Sequence, residues 1–337
     1  MKRVAVVGMG FMGRTHYGVW RKLRGAKVVA VCDSNLARLT AGVKGNLGST
    51  DAALDLKGVD VFSDFDEMLA RGGIDIVDIT LPTFLHPVMA KKAMSAGCDV
   101  LCEKPMALSA KICDEMLRAA KTHRRHLMIG QCTRFSDIHV YMKKLIDTGK
   151  YGKVTAVWLS HVSKTPGWAV GGGGWFLDEK RSGGVALDLH IHDTDLLNYW
   201  FGKPRAVTSR EHRRADGVID HIATSYDYPN LVAVSEGNWG AVQSFVFEEN
   251  FKVIFENAVA VFDAKREHVF TVFPGKGKPF YPKLTDETCY FNEIRHFLSL
   301  TEEREKVRFD PFEARESVRI VDAERKSART GKTVRIG

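Results

Sequence analysis

The 337-residue chain is 45% hydrophobic and 27% charged, which excludes a disordered or fibrous polypeptide and suits about two globular domains. Lys and Arg exceed Asp and Glu by 49 − 41 = +8, so nucleic acid or an anionic ligand has to be considered. The basic residues are scattered, however, and the densest runs, His123 to His126 and Arg325 to Lys332, are short. A solvated surface that raises the local concentration of an anionic cofactor accounts for the excess.

Six cysteines (Cys32, Cys98, Cys102, Cys113, Cys132, Cys289) show no zinc-type spacing and mostly sit in apolar runs, as expected in a reducing compartment. The opening "MKRVAVVGMG" carries too short an apolar run for a signal peptide, and no long uncharged stretch suits a membrane span. A cytoplasmic protein without nucleic-acid or membrane partners is expected.

Val4 to Val7 is a continuous apolar run, as in a strand covered on both faces of a parallel sheet. It leads into "GMGFMG", with Gly8, Gly10 and Gly13, and then into a helix-like segment, Arg14 to Leu23. A second apolar run ends in Asp33, twenty positions after Gly13. Gly8 permits the tight turn, Gly10 the approach of a pyrophosphate, and Gly13 close packing of helix on strand. The helix N-terminus, with Phe11 and Met12, offers free N–H groups to phosphates. Asp33 suits the adenosine ribose hydroxyls and repels the extra phosphate of NADP, so NAD is favoured; Ser34 and Arg38 close by leave NADP open.

The pattern repeats at 59–64, 74–80, 99–103 and 126–131, with helical segments at 86–96 and 109–122 between. This predicts a doubly wound parallel sheet, whose ligands bind beyond the carboxyl ends of the strands. The loops "TLPTFLH", with Thr80, Pro82 and His86, and Glu103-Lys104-Pro105 fall on that edge, which delivers Lys104 toward a nicotinamide. After about Lys150 the texture changes to alternating segments at 153–162, 206–214, 220–228, 231–239, 251–257 and 258–264, predicting a mainly antiparallel open sheet. Helices at 290–300 and 311–330 close the chain. With few helices to cover it, one face is expected to pair with a second copy, as a homodimer or homotetramer. The domains are set at 1–125 for dinucleotide binding and 126–337 for substrate binding and oligomerisation, with the closing helix free to pack back on the first.

The run Gly171 to Gly174 lacks the strand-before, helix-after setting of a phosphate cradle and reads as a loop. Beyond Gly184 a helix is expected, with Asp188 and His192 four apart on one face and Asp195 a further turn along. His190 and His192 diverge, so a carboxylate-oriented imidazole for proton transfer is preferred to a metal. Arg134 could bind a carboxylate or hydroxyls or simply pair with a surface acid, and Trp168 and Trp175 could wall a sugar ring or serve packing alone.

Together, the glycine motif, Asp33, "LPTFLH", "EKP" at 103–105, "QCTRF" at 131–135, "SGGVALDLHIHDTD" at 182–195 and the closing "DAERKSARTGKTVRI" resemble the glucose-fructose oxidoreductase / inositol 2-dehydrogenase / rhizopine catabolism (Gfo/Idh/MocA) family. The resemblance implies an N-terminal Rossmann domain and a C-terminal α/β domain. It also implies NAD(P)-dependent oxidation of a secondary alcohol of a sugar, inositol or polyol. By similarity Lys104 is the catalytic lysine, Asp188 and His192 are the active-site pair, Glu103 supports the nicotinamide ribose, and Lys104–Pro105 is cis. Thr83 stands where the family often has Asn. Two other readings stay open: a redox-neutral reaction on tightly bound NAD, and a non-catalytic NAD(H) sensor, which would not need Lys104, Asp188 and His192.

Overall fold

The computed structural model describes residues 1–40, 43–45, 48–50, 53–165, 174–285 and 287–337. The chain divides into two compact units, Met1–Cys132 with Thr288–Arg315, and Thr133–Glu287 with Glu316–Gly337.

Along the first unit run β1 (Lys2–Val7), α1 (Phe11–Lys22), β2 (Ala26–Cys32), α2 (Ala37–Thr40), the hairpin β3 (Val43–Gly45) and β4 (Gly48–Thr50), β5 (Asp60–Phe62), α3 (Phe65–Arg71), β6 (Ile76–Ile79), α4 (His86–Ser95), β7 (Asp99–Glu103), α5 (Ala110–His123) and β8 (Leu127–Gly130). Six strands form one parallel sheet in the order β5-β2-β1-β6-β7-β8. The chain leaves β1 in one direction and returns to its other side at β6, the reversal that opens a ligand crevice in doubly wound sheets. The inner strands β6 and β7 and the edge strand β8 are buried at every residue, which explains why their sequences run apolar without alternation. The opposite edge strand, β5, stays exposed or half-buried.

The second unit follows as α6 (Asp137–Thr148), β9 (Val154–Lys164), α7 (Glu179–Ser182), a π-helical turn (Ala186–His190), α8 (Ile191–Phe201), β10 (Ala206–Arg213), β11 (Ile219–Tyr228), β12 (Leu231–Ala241), β13 (Glu248–Phe255), β14 (Ala258–Asp263) and β15 (Phe270–Pro274). Then α9 (Cys289–Thr301) belongs to the first unit, α10 (Pro311–Thr330) begins there and runs on into the second, and β16 (Val334–Arg335) ends the chain. The eight-stranded sheet runs β15-β14-β13-β9-β12-β11-β10-β16. Its pairs are antiparallel except β9 with β12. One face is closed by α6, α8 and α10 through a core that includes Met142, Val157, Leu197, Trp200, Phe251 and Ile320. Trp158 and Val232, which pair only two positions apart in register, are 42% and 58% exposed. Thr288 caps α9 by accepting the Phe291 N–H at 3.2 Å, and α10 starts at Pro311 and stops before Gly331 at φ +69°.

Candidate active site

The glycine turn between β1 and α1 is built from three different constraints. Gly8 holds φ +91°, and a Cβ there would meet Thr80 O at 2.8 Å. At Gly13 a Cβ would fall 1.8 Å from Gly8 O, so helix and turn touch backbone to backbone. At Gly10 nothing lies within 4 Å of the added Cβ. A wall on two sides and open space at the middle glycine form a cradle that admits a pyrophosphate. The α1 N-terminus has neither a capping side chain nor an acidic residue in its first turn, so Phe11 and Met12 present N–H groups without a competing anion.

The flanking loops brace this turn. Thr80 donates its hydroxyl to Gly8 O at 2.6 Å and Val7 O at 3.0 Å. Asp33 is buried; one carboxylate oxygen accepts the Met9 N–H at 2.7 Å and the other the Asn35 N–H at 2.8 Å. The half-exposed Arg38 guanidinium stands 3.3 Å from both oxygens, and Ser34 is exposed beside them. Pro82 opens a 3-10 turn at Thr83–Leu85. His86 is buried with Nε2 2.7 Å from Leu81 O and Nδ1 2.9 Å from Pro105 O, so it ties the loop after β6 to the loop after β7. Burial lowers its pKa. The Lys104–Pro105 peptide is cis, and Glu103 accepts the Lys104 N–H at 3.0 Å. Lys104 itself is half-buried at the end of β7.

Glu103 also turns inward. Its second oxygen lies 3.1 Å from Nε2 of fully buried His16 on α1, whose Nδ1 lies 2.9 Å from Asp78 of β6. Trp20 Nε1–H donates to the same Asp78 at 2.6 Å. Burial opposes the imidazolium, but the Asp78 and Glu103 carboxylates outweigh it and raise His16 well above its usual range. Burial likewise opposes the Glu103 carboxylate, and His16 outweighs it, so Glu103 is lowered. Glu293 of α9 is fully buried, and that burial raises it well above the carboxylate range.

In the second unit Asp188 lies on the π-helical turn and His192 opens α8, both half-buried. The expected single helix is therefore a π turn passing into an α-helix, a wider turn that often marks functional sites. The two neighbouring histidines do diverge: His190 is fully buried with Nε2 3.2 Å from Tyr226 Oη, whereas the His192 ring stacks on His161 of β9. His161 Nδ1 lies 2.7 Å from Asp193 and Nε2 3.7 Å from Glu249. Burial works against its charge, but Asp193 and Glu249 raise it to about 10. Reciprocally, burial opposes the Glu249 charge and His161 lowers that carboxyl to about 2.

Arg134 is 1% exposed and its fork grips Asp195, Nε at 2.7 Å and a terminal nitrogen at 2.8 Å. Ser317 donates to the same carboxylate at 2.7 Å. The guanidinium thus pairs with an acid, but a fully buried one and not the surface acid that the sequence suggested as the alternative. Trp175 is half-buried against Phe176, which in turn stacks on Trp239. Trp168 lies outside the described residues.

His16, Asp78, Glu293, His161 and Glu249 escaped the sequence reading. Two carried a signal: Asp78 is a charge inside an apolar strand run, and His161 shares the inward parity of Leu159 on β9.

The profile described as "Oxidoreductase family, NAD-binding Rossmann fold" matches residues 2–131, and the GFO/IDH/MocA C-terminal domain matches 139–261. The chain is a Gfo/Idh/MocA protein. Among the relatives of this Gfo/Idh/MocA chain, a 2,7-anhydro-N-acetylneuraminate hydratase of Mediterraneibacter gnavus is 33% identical over 207 residues, 60% of this chain and 50% of the relative. The match thus spans about half that relative's length. An inositol 2-dehydrogenase of Rhizobium meliloti is 26% identical over 315 residues, 89% of this chain and 88% of the relative. The crystal structure of aldose-aldose oxidoreductase from Caulobacter crescentus shares the fold at TM-score 0.83 with 21% identity, covering 99% of each chain. Among the described residues no helix is long and apolar enough to cross a membrane.

Proposed function

We propose that the protein is an NAD-dependent dehydrogenase that oxidises a secondary alcohol of a sugar, inositol or related polyol. The observation that carries the reading is the cradle at Gly8, Gly10 and Gly13, open only at Gly10, in a chain of an NAD-binding oxidoreductase family. Relatives named inositol 2-dehydrogenase suggest the substrate class. The first unit holds the cofactor and the second recognises substrate. NAD, when bound, accepts the hydride.

The chain's own residues supply the rest. The α1 N-terminus and Gly10 hold the pyrophosphate, and Asp33 receives the ribose hydroxyls. Lys104 stabilises the charge that develops on the substrate oxygen. His192, oriented by Asp188, takes the hydroxyl proton as general base. The exposed face bearing Trp158 and Val232 pairs with a second copy. Sedimentation velocity tests that arrangement, and a monomer contradicts it.

The test is NAD reduction, followed by the absorbance of reduced nicotinamide, against inositols, aldoses and sugar acids. Activity with one class is expected, and Lys104→Ala should lower turnover by roughly 10²–10³-fold, the loss seen when one oxyanion stabiliser is removed. Substrate consumed with no net reduced cofactor would point to redox-neutral chemistry instead.

A further inference from the structure

We infer that His16, Glu103 and Glu293 form a buried site for one divalent transition cation of the zinc class, set among α1, the end of β7 and α9. The inference concerns the first unit alone and does not rest on the proposed hydride transfer. One ligand atom from each residue lies within 4.8 Å of the others, and all three residues are buried.

Three features point to a ligand rather than to a packed polar core. Both Glu293 carboxylate oxygens are buried without a hydrogen-bond partner among the described residues, although the residue is 0% exposed. A carboxyl group so placed is costly unless something neutralises it. Next, His16 Nε2 and Glu103 Oε1 are 3.1 Å apart, yet neither has a partner in hydrogen-bonding geometry. The oxygen is close but lies off the direction in which the ring nitrogen would donate. A separation of roughly 3.0–3.5 Å is what adjacent ligands show on a cation with bonds of about 2.0–2.2 Å.

Finally, the outer layer is that of a metal-binding histidine. His16 Nδ1 is 2.9 Å from Asp78, and Asp78 is itself held by Trp20 Nε1–H at 2.6 Å. A carboxylate behind the ring fixes the Nδ1–H tautomer and directs the Nε2 lone pair at the cation. Asp78, Glu103 and Glu293 place three carboxyl groups around one imidazole, a deficit of positive charge that a divalent cation corrects. One nitrogen and two carboxylate oxygens suit zinc better than calcium or magnesium, which prefer all-oxygen sites. The cation would rivet the start of the Glu103-Lys104-Pro105 loop to two helices, so its role there is structural.

The test uses the full chain, grown with added zinc and desalted. One equivalent of zinc by mass spectrometry is expected, and none in the near-isosteric Glu293→Gln. Cobalt(II) added to metal-free protein should give a visible absorption band in the native chain that Glu293→Gln loses. Asp78→Asn, which removes only the outer carboxylate, should bind about 10- to 100-fold more weakly. Native protein with substoichiometric zinc and no cobalt band overturns the proposal. Equal zinc in native and Glu293→Gln protein places the metal on surface histidines and overturns it as well. Should Glu293→Gln fail to fold, Glu103→Gln takes its place, and the native cobalt spectrum still decides. None of these readouts involves turnover, so the dehydrogenase reading can fail without this one.

Discussion

The His192 ring stacks on that of His161, with centroids 5.8 Å apart and planes at 27°. His161 is held protonated to about pH 10 by Asp193 and Glu249, so a fixed cation adjoins the proposed general base. A neighbouring positive charge disfavours a second proton. The expectation is that His161→Gln moves the low-pH limb of kcat/KM toward higher pH, because His192 then protonates more readily. A pH–rate profile checks this; an unmoved limb would separate the two rings electrostatically.

The same cluster sets a pH window for stability. His161 is raised from 6.5 to about 10, so its contribution is complete below 6.5 and is lost as pH rises through about 10. Glu249 is lowered from 4.5 to about 2, so its contribution is complete above 4.5 and is lost as pH falls through about 2. The two describe one ion pair, which is therefore at full strength between about 4.5 and 6.5. Urea midpoints should fall from pH 6 to pH 9.5 in the native chain, and more gently in His161→Gln. Parallel slopes in the two proteins would contradict the assignment.

Gly10 and Gly13 should respond oppositely to alanine. A Cβ at residue 13 meets backbone at 1.8 Å, and overpacking of this kind costs about 3 kcal/mol. A Cβ at residue 10 meets nothing within 4 Å, so Gly10→Ala should keep its stability within about 0.5 kcal/mol. That variant should nevertheless weaken NAD binding by about tenfold or more, since the methyl enters the pyrophosphate path. Thermal melts and NAD titration measured together separate the two effects.

Asp33 governs the choice of cofactor in this account. Asp33→Asn keeps an acceptor for the Met9 N–H but removes the charge that repels a 2′-phosphate and frees Arg38 to meet it. A hydrogen bond to a charged group is worth about 1.5–3 kcal/mol, so the NAD preference should fall by roughly 10- to 150-fold. Comparing NAD and NADP affinities measures it directly, and an unchanged ratio would place selectivity elsewhere.

Local pattern carried much of this fold. The run "DVLCE" became β7 from Asp99 to Glu103, and Pro311 to Thr330 became α10, because burial on both faces and helix punctuation are written in neighbouring residues. The cradle was equally readable, since its glycines sit in one short motif and Gly13 answers to Gly8 a few positions away, although the wall at Gly8 comes from distant Thr80. What escaped depends on distant partners. The parallel pairing of β9 with β12 joins residues about 76 positions apart, as between Ala156 and Val232. The capture of Arg134 by Asp195 spans 61 positions, and Glu293 comes from a helix in the last fifth of the chain that belongs to the first unit. No spacing rule reports such meetings, so the candidate site was legible as residues and loops but not as partnerships.

The most direct test of the central claim is deuterium transfer. The protein is incubated with NAD and a panel of ring-deuterated inositols and aldoses, and the mass of the reduced cofactor is read. The account predicts one deuterium in the cofactor from a substrate class that also supports turnover, lost in Lys104→Ala. Oxidised product with an unlabelled cofactor, or product without any reduced cofactor, would contradict hydride transfer from the substrate carbon.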